Sequence, residues 1–453
     1  MKLPPPAVKL CNKLLDLDIE PIIVGGFVRD YFLKTTSKDI DIEVYKINSL
    51  DELASSLQEF GTVHFVGKAF GVLKLSFEGY DFDISLPRTE NKIAKGHKGF
   101  EVITDGFLSY EEAASRRDFT MNSIGYDFKK NKLLDPFNGI NDISNKRIKH
   151  IQDKSFVEDP LRVLRAVQFS ARFNFKLDAN TLKLCTNMVK EKMLEELPKE
   201  RIFEEYKKLL LKADKPSIGF KLLDKLNALC PELKATQNIP QDKTYHPEGD
   251  VWTHTLMSID AMSQLKTNNE KKDLILMLAI LCHDLGKVEA TTVTQDKIRA
   301  IGHENILEPT ISLIEKLSDD KAILKEVLPL VKEHLMPSTL YSQKSKSPAI
   351  RRLSTRVNIQ DLSILARADH FGRTTQDAKD KIYLAGDWLL EKAKNLNVQY
   401  DKPKAILLGR DLLQEGYKAG VIFKKILDAA YEEQLNGTII DKESALKWLK
   451  TIF

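Results

Sequence analysis

The stretch from Val24 to Val44, VGGFVRDYFLKTTSKDIDIEV, limits the possible folds of this chain more than any other. An apolar run ends at Gly25-Gly26, and the pattern predicts a strand, a glycine turn and a helix with Arg29 and Asp30 in its first turn. Glycine lets a backbone approach a ligand closely, and free N–H groups at a helix start attract anions. The order is therefore typical of a phosphate site, although the patterns of P-loop ATPases and dinucleotide sites are absent from the sequence.

Two acids follow the helix at a spacing that places them on one face of a strand. Asp39 and Asp41 alternate with Ile40 and Ile42, so both carboxylates should leave one face while both isoleucines enter the core. Mg²⁺ is commonly held by one or two carboxylates together with substrate phosphates. A turn or a solvated acid pair alone would mean little, but the combination favours phosphoryl transfer.

The order GGxxRD and then DxD resembles the nucleotidyltransferase superfamily, in particular class II tRNA nucleotidyltransferases and bacterial poly(A) polymerases. The string RRDFTMNS, from Arg116 to Ser123, resembles the family motif RRDFTxNA. Asp83 stands five residues before an arginine, as the third acid does in the family, although a surface acid on an edge strand is the alternative. The resemblance implies that Asp39, Asp41 and Asp83 are catalytic, that Asp39 and Asp41 bind Mg²⁺, and that Gly25, Gly26, Arg29, Asp30, Arg117, Asp118 and Asn122 bind the nucleotide.

A predicted amphipathic helix from Glu158 to Gln168 carries the best candidates for choosing the base. An arginine such as Arg162 can donate to O2 and N3 of cytosine or to N1 of adenine, and a carboxylate such as Asp159 can accept from the amino group of both bases. The alternative is that Asp159 caps the helix and the arginines face solvent. The string resembles the family's EDxxRxxR helix, which implies that Asp159, Arg162 and Arg165 bind the incoming nucleotide.

The same helix departs from the family at one position. A further arginine is common three residues after Arg165, but this chain has Gln168 there. Arg172, one turn later, could supply the missing charge.

A second group of candidates lies between His246 and His370, where six of the nine histidines occur. Histidines combined with aspartates on predicted helices suit a transition metal such as Zn, Mn, Fe, Co or Ni better than Mg²⁺. The pattern resembles the HD phosphohydrolase superfamily, and this resemblance implies four metal ligands and two further histidines of binuclear members: His254, His283, Asp284, Asp369, His303 and His334. A metal site of this kind can hydrolyse phosphate esters, but its substrate stays open.

Composition and cysteine usage limit the remaining possibilities. A chain of 453 residues is too long for one core, and its net charge of +4 does not by itself indicate a nucleic-acid partner. The four cysteines lack CxxC spacing, and no apolar run is long enough for export or membrane insertion, so we expect a cytoplasmic protein with reduced thiols. The oligomeric state cannot be read from the sequence.

We therefore expect an α+β fold in which a nucleotidyltransferase head with a small antiparallel or mixed sheet precedes all-α domains. The predicted domains are the head (1–145), a neck with the base-recognition helix (146–215), a helical body with the HD domain (216–375) and a tail that binds the tRNA backbone (376–453). A polar loop around His97 resembles the flexible loop of the family, and we do not assign His97 to catalysis.

The resulting functional prediction is template-independent addition of C and A to tRNA 3′ ends from CTP and ATP. Within the class, an A-adding enzyme, a CC-adding enzyme or a poly(A) polymerase is the alternative. An HD phosphohydrolase with a nucleotide-sensing head and a non-catalytic RNA-binding protein are alternatives from other classes.

Overall fold

The computed structural model describes residues 1–66, 71–92, 100–295 and 297–452. The centre of the predicted polar loop, including His97, lies outside the described residues. The chain forms two compact units, the first comprising 1–209 with 218–228 and the second comprising 210–217 with 229–453. The first unit contains the predicted head and most of the predicted neck, and the division into four domains stays a prediction.

The first unit combines a sheet with helices. Its strands are β1 (Glu20–Val24), β2 (Asp39–Tyr45), β3 (Val63–Val66), β4 (Val72–Phe77), β5 (Tyr80–Ser85), β6 (Arg88–Lys92), β7 (Phe100–Thr104), β8 (Gly125–Asp127), β9 (Lys132–Leu134), β10 (Arg147–Ile148) and β11 (Lys176–Leu177). Its helices are α1 (Pro5–Asp16), α2 (Gly25–Phe32), α3 (Asp51–Ser56), α4 (Tyr110–Ser115), α5 (Gly139–Ser144), α6 (Asp153–Glu158), α7 (Leu161–Phe173), α8 (Ala179–Lys190), α9 (Lys199–Lys212), which crosses into the second unit, and α10 (Ser217–Lys225). Short 3₁₀ turns span Gln58–Phe60, Thr120–Asn122 and Met193–Glu196.

The main sheet has seven strands in the order β3-β4-β5-β2-β1-β8-β9. All neighbours are antiparallel except β2 and β5, which are parallel, so the sheet is mixed. In β2 the predicted alternation is confirmed, because Ile40 and Ile42 are fully buried while Asp39 and Asp41 reach solvent. The small sheet therefore presents its acids along one face.

The predicted start of the first functional helix is wrong. Helix α2 begins at Gly25, so Arg29 and Asp30 lie in its second turn instead of its first. Gly25 takes a φ of +69°, which lets the chain leave β1 and enter the helix without an intervening loop. The glycine pair is thus the first turn of the helix and not a turn before it.

The second unit is built from helices. They are α11 (Pro231–Lys234), α12 (Val251–Ser263), α13 (Glu270–Cys282), α14 (Lys287–Ala290), α15 (Glu308–Leu317), α16 (Lys321–Glu333), α17 (Met336–Ser342), α18 (Ser347–Ser354), α19 (Ile359–Phe371), α20 (Gln376–Lys379), α21 (Leu384–Asn395), α22 (Gly409–Gln414), α23 (Val421–Asn436) and α24 (Lys442–Ile452). A 3₁₀ turn spans His303–Asn305, and β12 (Thr292–Val293) pairs with β13 (Ile298–Arg299).

Helix α13 forms the centre of this unit. Residues 274–282, LILMLAILC, are buried without exception, as expected for a helix that is apolar on all sides. None of the helices in the described part of the chain combines the length and the apolar character that a membrane span requires. The predicted α+β class is confirmed, with the two-residue strands as minor additions to the helical part.

Candidate active sites

The predicted acids of the head meet at the junction of β2 and β5. The parallel register pairs Asp41 with Asp83 and Asp39 with Asp81, so four carboxylates occupy adjacent positions on one face. Lys74 Nζ from β4 lies 3.0 Å from Asp83 Oδ2. The pKa of Asp41 is raised because its carboxyl is desolvated in the recess of a cavity and because Asp83 is beside it, although Arg117 acts in the opposite direction. This accumulation of oxygen ligands and negative charge suits a divalent cation.

Gly25 gives the recess its shape. A Cβ at this position would lie only 2.7 Å from Asp41 Oδ2 and 3.6 Å from Arg117 Nη1. The glycine therefore does more than permit a positive φ, because it also opens the space directly above the carboxylate. Space beside a carboxylate is what a bound cation and a phosphate require.

A cavity of about 520 Å³ extends from these acids to the predicted base-recognition helix. Its charged lining consists of Arg29, Arg88, Arg116, Arg117, Arg162, Arg165, Arg201, Asp41, Glu43, Asp83, Asp118 and Asp159. Asp39 lies outside this lining and borders a second cavity of about 410 Å³ on the other side of Asp41 and Asp83. The lining thus combines acids that suit a cation with seven arginines that suit phosphates.

Arg117 is held by an acid that the sequence interpretation missed. Arg117 Nη2 donates to Glu43 Oε1 at 2.6 Å, and its Nη1 donates to the Asn122 carbonyl at 3.0 Å. Glu43 continues the alternation of Asp39 and Asp41 along β2, which was the available signal. Glu43 and Asp41 raise the pKa of Arg117 despite its burial, so the guanidinium stays charged beside the acids.

A buried polar chain connects the start of the head with helix α7. Arg29 donates to Asn122 Oδ1 at 2.8 Å, Asn122 donates to Asp118 Oδ1 at 2.8 Å, and Arg165 Nε donates to Asp118 Oδ2 at 2.7 Å. Asp30 pairs with Arg29 at 2.7 Å. These predicted nucleotide-binding residues are brought together, but their side chains are largely engaged with one another.

The predicted base-reading pair lines the same cavity as the acids. Arg162 donates to the carbonyls of Ser155 at 2.8 Å and Arg116 at 2.7 Å. Asp159 accepts from the Leu161 N–H at 3.2 Å and from Arg201 Nη2 at 3.3 Å.

Asp159 contacts the start of α7 without being its N-cap, which is Pro160. One carboxylate oxygen accepts from the N–H of Leu161, the first residue of α7, and the other accepts from Arg201 in the cavity wall. Arg201 was missed as a site residue, because its distance along the chain gave no signal of this contact.

Gln168 and Arg172 do not restore an arginine to the cavity. Gln168 is 2% exposed, and Arg172 lies 3.9 Å from Asp30 Oδ2. Neither belongs to the lining of the 520 Å³ cavity. The charge that the family places at position 168 is therefore not replaced by Arg172 within this cavity.

In the second unit, all six predicted metal ligands converge. His254 Nε2 lies 2.9 Å from Asp369 Oδ1, and His283 Nε2 lies 3.2 Å from Asp284 Oδ2. On the other side, Asp284 Oδ1 lies 3.1 Å from His303 Nε2 and 3.8 Å from His334 Nε2. The two oxygens of Asp284 thus face two separate ligand groups, as a carboxylate shared by two cations would.

The histidine tautomers are set by acceptors behind each ring. His283, His303 and His334 each direct Nδ1 to the backbone carbonyl three residues earlier, at 2.7, 2.7 and 2.6 Å. A carbonyl can only accept, so Nδ1 carries the proton and Nε2 of the neutral ring carries a lone pair. His254 Nδ1 has the same relation to Glu248 Oε1 at 2.8 Å. In the neutral rings, the lone pairs of all four Nε2 atoms are therefore directed toward the centre of the ligand cluster.

These residues fit transition-metal ions. His303 Nε2 and His334 Nε2 lie 3.3 Å apart, and His283 Nε2 is buried without a hydrogen-bond partner among the described residues. Burial and the neighbouring His283 lower the pKa of His334 to about 3, which keeps its lone pair available. Opposed lone pairs beside carboxylates are unfavourable by themselves but suit bound cations.

Glu248 is the functional residue of this unit that the sequence interpretation missed. Its Oε1 accepts from His254 at 2.8 Å and from His246 at 2.9 Å, so it orients a ligand and lies behind the cluster together with His246. His370 instead stacks on Tyr383 at a centroid distance of 4.7 Å. The YHPEGD string contains this acid, but its contact with His254 depends on tertiary structure.

Three family models match the chain. The Poly A polymerase head domain matches residues 22–149, the probable RNA and SrmB-binding site of polymerase A matches 174–237, and the HD domain matches 251–374. The first includes the acid edge of β2 and β5, and the third includes the six converging ligands.

Solved structures define the class of fold. The CCA-adding enzyme of Bacillus stearothermophilus in complex with CTP is 20% identical with a TM-score of 0.67, and 99% of each chain is covered. The Thermotoga maritima CCA-adding enzyme complexed with tRNA_CCA is also 20% identical with a TM-score of 0.58, covering all of this chain and 97% of that one. The fold is that of CCA-adding enzymes.

Similarity to a protein of known family identifies the family of this chain. The multifunctional CCA protein of Acinetobacter baumannii is 35% identical over 345 residues, which cover 73% of this chain and 79% of that protein. The chain belongs to the family of multifunctional CCA proteins.

Proposed function

We propose that this protein adds C and A to the 3′ ends of tRNA, using CTP and ATP. The observation that carries the proposal is one cavity whose lining includes Asp41 and Asp83, paired across β2 and β5, together with Asp159 and Arg162. Residues that suit a metal ion and residues that suit a base thus line one cavity, which supports the binding of a nucleoside triphosphate there. Family membership supports the same assignment.

The acids would hold Mg²⁺, with Asp39 and Asp41 as its ligands and Asp83 completing the site. Mg²⁺ bound there supplies charge neutralisation at the triphosphate and favours attack by the RNA 3′-hydroxyl. Arg117 lies next to these acids and presents a charged guanidinium to the triphosphate, while Glu43 and the Asn122 carbonyl fix its orientation. Arg29 and Arg165 act mainly by holding Asn122 and Asp118 in place.

Asp159 and Arg162 would select the base. Arg162 is fixed by two backbone carbonyls, so its guanidinium has a defined orientation in the cavity wall. A carboxylate accepts from the amino groups of cytosine and adenine but is repelled by the carbonyl that uracil and guanine carry at the matching position. One pair of side chains can therefore accept both nucleotides of the CCA sequence.

Extension of defined tRNAs tests this function. The protein is incubated with Mg²⁺, CTP and ATP and with tRNAs that end before the first C, before the second C or before the A. We expect all three to reach one common end, and we expect Asp41→Ala to abolish extension. Glu78→Ala is the control, because Glu78 is an exposed acid near the β4–β5 turn whose partner is the surface residue Lys9.

The alternatives give different products in the same experiment. Extension of only the last tRNA would indicate an A-adding enzyme, extension that stops after the second C would indicate a CC-adding enzyme, and continued addition of A would indicate a poly(A) polymerase. Failure of the wild type to extend any tRNA would contradict a polymerase function.

We further propose that the HD cluster is a phosphohydrolase that uses one or two transition-metal ions such as Ni, Mn, Co, Fe or Zn. His254, His283, Asp284 and Asp369 would hold one ion, and Asp284, His303 and His334 a second. Such an ion supplies Lewis acidity at the phosphoryl group and at an attacking oxygen nucleophile. In the hydrolysis, an oxygen from water forms a bond to phosphorus, the ester P–O bond breaks, and the leaving oxygen takes a proton.

A crossed pair of variants separates the two functions. Asp284→Ala should abolish hydrolysis of p-nitrophenyl phosphate and leave tRNA extension intact, while Asp41→Ala should do the reverse. Phosphate release that persists in Asp284→Ala would contradict the HD assignment. We also propose a cytoplasmic location, which the buried free thiols of Cys11, Cys185 and Cys282 support.

A further inference from the structure

The cavity in front of the HD cluster has basic walls. It has a volume of about 260 Å³, and the ligands Asp284, His303, His334 and Asp369 lie on one side of it. Lys287, Arg299 and Arg373 are also in its lining. With cations bound by the cluster, the metal ions and these three basic residues would favour an anionic ligand, and Asp242 is the acid of this lining outside the cluster.

Lys287 has hydrogen-bonding partners within the protein, and Arg299 is exposed to solvent. Lys287 is 8% exposed, and its Nζ lies 2.7 Å from Asp284 Oδ2 and donates to Gln241 at 2.8 Å. Lys287 is therefore already engaged by a ligand and a buried amide. Arg299 lies on the short strand β13 and is exposed.

Arg373 is different because its donors are poorly satisfied. Its Nη2 lies 3.5 Å from both oxygens of Asp369, at the outer limit of a hydrogen bond, and its Nε is buried without a partner among the described residues. A buried donor without a partner is costly in a folded protein. A guanidinium in this state, at the wall of a cavity with catalytic ligands, suits an anion that supplies the missing acceptors.

Gly372 allows the close helix packing that positions Arg373 at the cavity. A Cβ at Gly372 would lie 2.7 Å from both Cα and N of Ser258 and closer still to its side chain, so only glycine lets the end of α19 pass directly against α12. Ser258 Oγ in turn lies 3.3 Å from His254 Nε2. The string ADHFGR thus supplies the ligand Asp369, the close crossing at Gly372 and then Arg373 within one turn.

We infer that Arg373 forms a phosphate subsite of the HD cavity, where its Nε and an Nη donate to two oxygens of the phosphate ester. Forked donation of this kind matches the geometry of phosphate oxygens. The inference deepens the proposed hydrolysis and rests on it.

Binding of inorganic phosphate tests the inference without depending on turnover. The full-length protein is loaded with Co²⁺, its metal content is measured, and phosphate is titrated while heat and the visible Co²⁺ spectrum are followed. We expect Arg373→Ala to raise the Kd for phosphate about 10- to 100-fold, as loss of a charge-assisted pair predicts, at unchanged metal content. Arg373→Lys, which keeps the charge but loses the fork, should fall between Arg373→Ala and the wild type.

Arg367→Ala is the matched control. Arg367 lies on α19, which ends two residues before Arg373, and it donates to Asp387 at 2.6 Å and does not line the cavity. The Arg367→Ala variant should therefore bind phosphate with the same Kd as the wild type. Circular dichroism of all variants reports whether folding is intact, and the conservative Arg373→Lys variant keeps the test valid if Arg373→Ala unfolds.

The outcomes separate this inference from the proposed hydrolysis. Phosphate binding that is unchanged in Arg373→Ala and Arg373→Lys would overturn the inference, as would a change confined to Co²⁺ affinity, which would make Arg373 only a counter-ion of Asp369. A wild type that binds no phosphate would also overturn it. Arg373-dependent binding without hydrolysis of p-nitrophenyl phosphate would support the subsite and contradict the hydrolase.

Discussion

Single residues of the head cavity are oriented by protein contacts before a nucleotide arrives. Arg117 is fixed by Glu43 and a carbonyl, Arg162 by two carbonyls, and Asp159 by a backbone N–H and Arg201. Side chains that are already oriented lose little conformational entropy when a ligand binds. The precision of the cavity therefore depends on these supporting contacts as much as on the residues that touch the nucleotide.

Gly25→Ala should reduce nucleotide incorporation by more than its small loss of stability would explain. We expect the substitution to lower the free energy of unfolding by about 1–2 kcal/mol, because alanine is strained at positive φ. Its Cβ would also displace Asp41, which lies 2.7 Å from that position, so nucleotide incorporation should fall on the order of 10²-fold. Urea unfolding and steady-state extension of tRNA measure the two effects.

Gly79→Ala provides the matched control for this prediction. Gly79 has a φ of +81°, but a Cβ there meets nothing within 4 Å. It should lose similar stability and retain incorporation. Equal incorporation by the two variants would contradict the role given to the space above Asp41.

Asp159→Asn should relax the choice of base. The amide can donate to the carbonyl of uracil where the carboxylate could only repel it, so the preference for CTP over UTP should fall about 10- to 100-fold. Competition between labelled CTP and UTP on a tRNA that ends before the first C measures this ratio. Asp153→Asn, an exposed acid on α6, is the control, and an unchanged ratio in Asp159→Asn would remove Asp159 from base selection.

At the scale of elements, the HD cluster is assembled from the ends of helices. His283 follows the last residue of α13, His334 follows the last residue of α16, and each donates Nδ1–H to a carbonyl of its own helix. Free carbonyls at a helix end need donors, and the histidines supply them. One contact therefore caps the helix and also directs Nε2 to the metal site.

His254 lies inside a helix and lacks such a carbonyl, so it depends on Glu248. We expect Glu248→Gln to weaken metal binding about tenfold or more, because the amide is a poorer acceptor for the His254 N–H. Metal retained after dialysis against a weak chelator measures the effect. Glu289→Gln, an exposed acid on α14, should behave like the wild type, and equal retention in both variants would exclude the orienting role of Glu248.

Local patterns predicted many of the elements but not their partners. The alternation in β2 predicted the face on which Asp39 and Asp41 lie, because this pattern depends on neighbours in sequence. The contacts of Asp159 with Arg201 and of His254 with Glu248 depend on packing, so no spacing reveals them. The helix start at Gly25 was missed because a helix-forming glycine with positive φ looks like a turn in the sequence.

For the whole molecule, the histidines make stability depend on both metal and pH. Burial opposes protonation of His254 and His303, but the carboxylates of Asp369 and Asp284 outweigh it and raise the pKa of each. Burial lowers the pKa of His246 to about 4 and that of His334 to about 3. His254 and His303 therefore bind protons more tightly in the folded state than in the unfolded state, whereas His246 and His334 bind them less tightly.

We therefore expect opposite slopes on the two sides of the unfolded histidine pKa of about 6.5. In chelator-treated protein, His246 and His334 make stability rise with pH from about 4 to 6.5, because the unfolded state binds more protons there. Above that pH, His254 and His303 make stability fall until the pH has passed their raised folded-state pKa values. Unfolding followed by the fluorescence of the buried Trp252 measures this profile.

Added metal should remove the loss at higher pH. Metal binding requires deprotonated ligands and displaces protons from His254 and His303, so affinity should increase with pH. Calorimetry in buffers of different ionisation enthalpy counts the released protons. Metal uptake without proton release would contradict the pKa directions given for these two histidines.

The parallel pairing of β2 with β5 limits when the head can fold during synthesis. A hairpin forms its contacts as soon as its two arms are made, but Asp41 and Asp83 lie on strands separated by α3, β3 and β4. Contacts between such distant segments form slowly during folding. A growing chain that has reached only Gly79 on the ribosome already carries Asp39 and Asp41 of β2 but not β5, on which Asp83 lies. The nascent head therefore cannot bring Asp83 beside Asp41 until β5 has been synthesised.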